Sequence, residues 1–227
     1  MISRLKRGAR KINWKYLLSE ILLIVIGINV GLWFNNLSEN RKYATEERLL
    51  LNDLKKSLES DRSDVLENLN LHERATSAAK RLLKHEGTRR PDSVAMDLVN
   101  IWTYSLLVAD KSAFEALKSF GLQRIQDDSL KRNIIRLYTV HYRLVEGISE
   151  RHGRIVEKFD EVMNDIFVYQ QQQYRMRKPG PESIAEHSYR IKHLENSHYY
   201  LGIVYRKQVL AAIDDLLDQL AALDMPG

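Results

Sequence analysis

Seven histidines and no cysteine set the limits on the chemistry open to this chain of 227 residues. His187, His193 and His198 recur at intervals of six and five, with Glu186 and Glu195 among them. Imidazole and carboxylate donors together can hold zinc. The spacing forms no compact pair of histidines four apart around a glutamate, so these residues read as exposed polar histidines and no metal ligand is assigned. His72 and His141 differ, because each falls on the apolar stripe of a long predicted helix. Two readings stay open for them. They meet in the core as a pH-sensitive contact, or each is packed separately with one hydrogen-bond partner. Asp127-Asp128 and Asp214-Asp215 are carboxylate pairs, but neighbours on a helix point about 100° apart. The first pair reads as a helix cap and the second as a solvated face. The sequence has no G-x-S-x-G, no P-loop, no dinucleotide glycine pattern and no H-E-x-x-H. Without cysteine it has no disulfide and no thiolate nucleophile. The expectation is a protein that is not an enzyme, with no catalytic residue and no cofactor.

The elements that carry these residues begin with a charged leader. Arg4, Lys6, Arg7, Arg10, Lys11 and Lys15 stand in the first sixteen residues with no acid among them. They account for the net charge of +5, since the rest of the chain is nearly balanced. Phosphate binding needs cations gathered on a folded surface, and no such gathering follows residue 16, so nucleic acid is not an expected partner. Residues 17–37 are apolar and span about 31 Å as a helix, which matches a hydrocarbon core of about 30 Å. Trp14 and Tyr16 flank one end and Trp33 the other, as interfacial aromatics do. The run ends in Trp33-Phe34-Asn35-Asn36 rather than in small residues, so it reads as a retained anchor and not a cleaved signal. The positive-inside rule puts residues 1–16 in the cytoplasm and 38–227 outside, in the periplasm of a bacterial inner membrane.

Within the span, Glu20, Ile24, Gly27 and Gly31 share one helical face, and Asn29, Trp33 and Asn36 the opposite one. Gly27-x-x-x-Gly31 permits close approach of another helix. Glu20 and Asn29 are the polar groups available for such a contact; Glu20 also fits the headgroup level.

Beyond the span, residues 40–86 read as one long helix with Leu51, Leu54, Leu58, Val65, Leu69, His72, Ala79 and Leu82 on one side. Gly87 and Pro91 end it and open the next element. A shorter helix is expected over 92–107. Asp110 or Ser112 starts the following helix, where Ser112-Ala113-Phe114-Glu115 has the capping-box pattern, Gly121 closes it, and Asp127 or Asp128 caps the next. Leu130, Ile134, Leu137, His141, Leu144 and Ile148 form a stripe that resumes as Ile155, Phe159, Val162 and Ile166. Gly147 and Gly153 mark a slight bend. Lys178-Pro179-Gly180-Pro181 breaks the chain, and a last helix runs over 199–223. Nothing alternates at period two. The fold class expected is all-α, an N-terminal transmembrane helix followed by an antiparallel helical bundle with long helices. A coiled-coil dimer through 45–85 is disfavoured, because Asp61 and Asn68 sit on its apolar line.

Two blocks of this sequence resemble a known family. Gly27-Ile28, Asn35-Asn36 and Glu39 match a membrane segment of the form GEI-apolar-GI-apolar-NNWNE. Ser112-x-Phe114-x-x-Leu117-Lys118-Ser119-x-Gly121-Leu122-x-x-Ile125, followed by Leu130 and Tyr138, match a second block. Together they resemble a domain-of-unknown-function family of bacterial single-pass membrane proteins. Ser19, Asn29, Trp33, Leu37 and Phe120 depart from its pattern. The resemblance implies an N-terminal anchor and a helical outer domain, and supplies no activity. On the residues themselves, Ser112, Lys118 and Ser119 form either the polar groups of a small pocket or a helix corner.

The function expected is that of a membrane-anchored interaction or scaffold module of the bacterial envelope. Its partners would be the lipid bilayer and another membrane protein or a second copy of itself. The alternative is an extracytoplasmic ligand sensor acting through a membrane partner.

Overall fold

The structure is a computed structural model, and it describes residues 14–84, 90–170, 173–176 and 181–223. The leader before residue 14, the expected stop at Gly87 and the Lys178-Pro179-Gly180 breaker lie outside these residues. The chain divides into two units, Met1–Arg48 and Leu49–Gly227.

The fold is all-α. Helix α1 runs over Trp14–Leu83. No helix-breaking residue interrupts its register from Leu32 to Leu83, and within the second unit its buried residues recur at three- and four-residue steps from Leu54 to Leu82. Then come α2 (Pro91–Ile101), α3 (Ser112–Phe120), α4 (Asp128–Arg136), α5 (Tyr142–Ile166), α6 (Pro181–Glu186), α7 (Ser188–Val204) and α8 (Ala211–Leu223). A π-helical turn over Leu137–His141 joins α4 to α5, and another over Tyr205–Leu210 joins α7 to α8, so each pair is one helical run.

Three long runs make the bundle, and their pairings fix its direction. Arg62 with Asp214, Glu73 with Arg206 and Lys80 over the Tyr199 ring count down α7–α8 as α1 counts up. Asn133 with Asp215, His152 with Ser197 and Glu161 with Arg190 do the same for α4–α5. The C-terminal run is therefore antiparallel to both of its neighbours. Asp61 meets Tyr142, and His72 meets His152, so α1 and α4–α5 run in the same sense. Two parallel helices need a return path between them. Helix α2 and the extended segment over residues 103–111 provide it.

That return segment differs from the expected helix over 92–107, which ends at Ile101. Its backbone is held by polar side chains of α1. Val108 N donates to Asp64 Oδ2 at 3.1 Å, Asp110 N donates to Asp61 Oδ1 at 2.9 Å, and Ser105 Oγ donates to Asn68 Oδ1. A segment without its own ladder must find partners for its amides. Asp61, one of the two polar residues on the apolar line of α1, is such a partner, and the other, Asn68, holds the Ser105 hydroxyl.

Four further differences separate the structure from the expectation. Of the two starts expected for α3, the helix takes Ser112, with Lys111 at the N-cap and Asp110 Oδ1 accepting from Ser112 N at 2.9 Å; Ser112 makes no capping box, and Glu115 instead accepts from Lys118 Nζ at 2.8 Å. The stripe of α4–α5 moves by one residue between His141 and Phe159, while His141, Phe159, Val162 and Ile166 are buried as expected. The π turn adds a residue without adding rise, so Tyr142, Val145, Ser149, His152 and Val156 are buried while Leu144 is exposed. A two-stranded antiparallel hairpin, β1 (Phe167–Gln170) and β2 (Gln173–Met176), pairs Phe167 with Met176 and Gln170 with Gln173. Four residues a strand are too few to display a period. The last helical run starts at Ser188 rather than at Tyr199.

Gly121 closes α3 as expected, with φ of 108°. A Cβ there would stand 2.9 Å from Gln123 Nε2. Asp127 caps α4, its carboxylate accepting from Ser129 N at 2.7 Å and Leu130 N at 3.1 Å. Helix α5 is continuous through Gly147 and Gly153.

Candidate functional site: an apolar anchor and a buried histidine layer

The first candidate lies in the unit Met1–Arg48. Helix α1 contains an 18-residue window of mean hydropathy 2.1, and 0% of that window is buried. Side chains from Leu17 to Phe34 are exposed throughout. By length and apolar composition this stretch is long enough to cross a membrane. Its polar residues turn inward on the helix itself. Asn29 Nδ2 donates to Val25 O at 2.7 Å, and Ser19 Oγ donates to Tyr16 O at 2.8 Å. Each hydrogen-bonds the turn before it, which lowers the cost of carrying an amide or hydroxyl through hydrocarbon. Glu20 is exposed, and a Cβ added at Gly27 or Gly31 would meet nothing within 4 Å.

The second candidate lies in the core of the unit Leu49–Gly227. That core has two apolar clusters. One is built on Leu54–Leu69 of α1, Val145 of α5 and Leu201–Leu220 of the C-terminal run. The other is built on Ala78–Leu82, Val156–Ile166 and Ile184–Leu194. Each long run passes from one cluster to the other, and each passes through a histidine: His72 on α1, His152 on α5 and His198 on α7. All three are fully buried.

Their rings touch. His72 and His152 have centroids 5.5 Å apart, His72 and His198 5.2 Å, and His152 and His198 4.3 Å. Tyr205 stacks on His72 at 5.6 Å. Tyr104 of the return segment lies 6.3 Å from His152, over Gly153, where a Cβ would come within 3.0 Å of its ring. Any larger residue at 153 would push that ring away.

The hydrogen bonds determine the protonation. His198 Nε2 is 3.0 Å from Ile101 O. A carbonyl only accepts, so Nε2 carries the hydrogen and the Nδ1 of neutral His198 is a lone pair. His72 Nδ1, 2.9 Å from His198 Nδ1, must then donate, which leaves its Nε2 a lone pair. His152 Nδ1 is 2.8 Å from Ser197 Oγ. His72 Nε2 and His152 Nε2 are buried without a hydrogen-bond partner, while the buried Tyr205 hydroxyl interacts with Ser149 and the Leu107 backbone. Burial pushes the pKa of all three histidines down, to about 2 for His72, about 3 for His152 and about 4 for His198. Mutual repulsion adds to this for His72 and His152, while the Ile101 carbonyl acts the other way on His198. The layer is neutral imidazole at any ordinary pH.

His72 was legible as a core histidine, and its ring neighbours are His152, His198 and Tyr205. His141 stands apart on the π turn, nearly buried, its Nδ1 without a partner. His187 lies 3.9 Å from Asp165, and His193 contacts the Tyr189 ring. At the corner of α3, Lys118 Nζ is held by Glu115 and lies over the Phe114 ring, and Ser119 Oγ donates to Glu115 O at 3.0 Å. Ser112, Lys118 and Ser119 are engaged within their own turn. The sequence reading passed over His152, whose signal was its spacing of seven and four from Val145 and Val156 in the shifted stripe.

Fold and site together define a class: an all-α bundle with a polar histidine layer in its core and a wholly exposed apolar segment in its first helix. No family model, curated protein or solved structure matches the chain.

Proposed function

We propose that this protein is a membrane-anchored helical interaction module of the bacterial envelope, crossing the inner membrane once with residues 38–227 in the periplasm. One observation carries the reading, the apolar window in α1 that has no buried side chain. The basic leader supports the orientation, and the resemblance of the anchor and of residues 112–138 to a family of single-pass proteins supports the class. The partner is another membrane protein or a second copy of this chain, met through the face of Glu20, Gly27 and Gly31 or that of Asn29.

The test uses full-length protein in native membranes. Protease added to sealed inverted vesicles is expected to spare residues 49–227, and carbonate washing is expected to leave the protein in the pellet. In mild detergent a complex larger than one chain is expected, weakened when Gly27 and Gly31 are both changed to Leu. Digestion of the large unit reverses the orientation. Extraction by carbonate removes the anchor, and a monomer in mild detergent removes the interaction.

A further inference from the structure

We propose that His72, His152 and His198 form a binding site for one divalent transition-metal ion of the zinc class, which clamps the three long runs of the bundle together. Each histidine comes from a different run, and each offers one ligand atom, with all three atoms within 4.8 Å of one another. An ion with bonds of about 2.0–2.1 Å to imidazole nitrogen holds tetrahedral ligands about 3.3 Å apart. Binding would draw the ligand atoms together by up to about 1.5 Å.

Hydrogen bonding alone leaves this layer incomplete. It satisfies His198 fully and gives His72 and His152 one partner each. It leaves His72 Nε2 and His152 Nε2 without a hydrogen-bond partner between two apolar clusters. Each such group costs free energy that leucine or phenylalanine at the same position would not. Three histidines converging from three helices, with unmatched ring nitrogens among them, describe a layer that lacks a small polar occupant.

The outer partners already point the ligands. Metal-bound histidines usually donate their second N–H to a carbonyl or another acceptor, which fixes the ring and frees the other nitrogen. Ile101 O does this for His198 and presents its Nδ1. Ser197 Oγ is placed to do it for His152 and present its Nε2. Between the two Nδ1 atoms of His72 and His198 the ion takes the place of the shared proton, which moves to Nε2 of His72. No proton leaves the site, because all three rings are neutral beforehand. The buried hydroxyls of Ser149 and Tyr205, which interact with each other, are available to a water in the fourth position.

Ligand chemistry selects the ion. Three neutral nitrogen donors with no carboxylate among them suit Zn²⁺, Co²⁺, Ni²⁺ and Cu²⁺, and not Mg²⁺ or Ca²⁺, which take oxygen. Full burial makes the site structural: an ion there can enter only when the bundle opens, and binding it to the folded state raises stability.

The test uses the full chain in detergent, stripped by chelator during partial unfolding and refolded with Zn²⁺, with Co²⁺, or with Mg²⁺. One equivalent of Zn²⁺ or Co²⁺ is expected to be retained after desalting and to raise the melting temperature, with Mg²⁺ doing neither. X-ray absorption of the Zn²⁺-loaded wild type is expected to show scattering from three imidazoles, a readout that needs no variant. His152→Asn is expected to abolish retention, Ser197→Ala to weaken it by about 10–100-fold, and His193→Ala to leave it unchanged. No retained metal in the refolded wild type overturns the proposal. So does a spectrum with one imidazole or none, or equal retention by wild type and by a His152→Asn variant whose helical circular dichroism is intact.

Discussion

His141 occupies the core on terms that make it a liability in acid. Its ring is nearly buried on the π turn between α4 and α5, and its Nδ1 has no partner. Burial first, and the Arg136 charge second, hold its pKa below the ordinary histidine value of 6.5. The folded state therefore keeps it neutral where the unfolded chain takes up a proton. Its share of stability is complete above pH 6.5 and is lost as the pH falls from there through its depressed folded value. Replacing it with a residue that cannot titrate removes that loss. We expect His141→Leu to unfold with a shallower dependence on pH than wild type between pH 6.5 and 4.5, the difference approaching at most about 1.4 kcal/mol per pH unit. Urea unfolding of the full chain in detergent at a series of pH values reads this directly. Parallel curves would mean that His141 is protonated in the fold.

Among the elements, the return segment over residues 103–111 depends most on a few bonds. It crosses the face of α1 with no helix or strand of its own, and Asp64 is where its middle is tied. Asp64 Oδ2 accepts from Val108 N, and Asp64 Oδ1 accepts from Asn68 Nδ2, which in turn sits against Ser105. In Asp64→Ala the Val108 amide loses its acceptor at a cost of roughly 1–1.5 kcal/mol. Hydrogen exchange at Val108 is expected to speed up about tenfold while that of Leu58 in α1 stays unchanged, since local opening is what the bond resists. The same segment shows where the sequence stops being informative. Asp61 and Asn68 stood out as polar residues on an apolar line, and that was enough to set aside a two-stranded coiled coil. It did not reveal their partner, because residues 103–111 carry no turn or strand signature and their path is set by what α1 offers. The two π turns are hidden for a similar reason. Leu137–His141 has the composition of ordinary helix, yet it shifts the stripe over Tyr142–Val156 by one residue before Phe159, Val162 and Ile166 rejoin the expected line, so His152 fell on the wrong side of it. His72 was readable, His198 was readable as a histidine but not as a core one, and their meeting was not. Convergence of three helices is a tertiary fact with no local trace. Helix ends with a chemical cause were plain: Gly121 with its positive φ and Asp127 with its two amides.

At the scale of the molecule, the chain carries two kinds of apolar surface. In Leu49–Gly227 the leucines, valines and isoleucines face one another across the bundle, whereas the apolar window of α1 in Met1–Arg48 is exposed. The first set is stabilised by burial on folding; on the proposed reading the second is stabilised by transfer into lipid. The two contributions should therefore separate under mutation. Lysine near the centre of a span costs about 2.5–3.5 kcal/mol in insertion, so Val25→Lys with Ile28→Lys removes roughly 5–7 kcal/mol from the membrane side by the same scale. Neither side chain contributes to the buried core. The doubly substituted protein is expected to move from the carbonate-resistant pellet to the soluble fraction. Its cooperative melting transition in detergent should remain within about 0.5 kcal/mol of wild type, as befits surface changes away from the core. Equal loss of both would mean that the apolar window supports the fold of the large unit rather than an anchor. Retention in the pellet would mean that something other than the window holds the chain to the membrane.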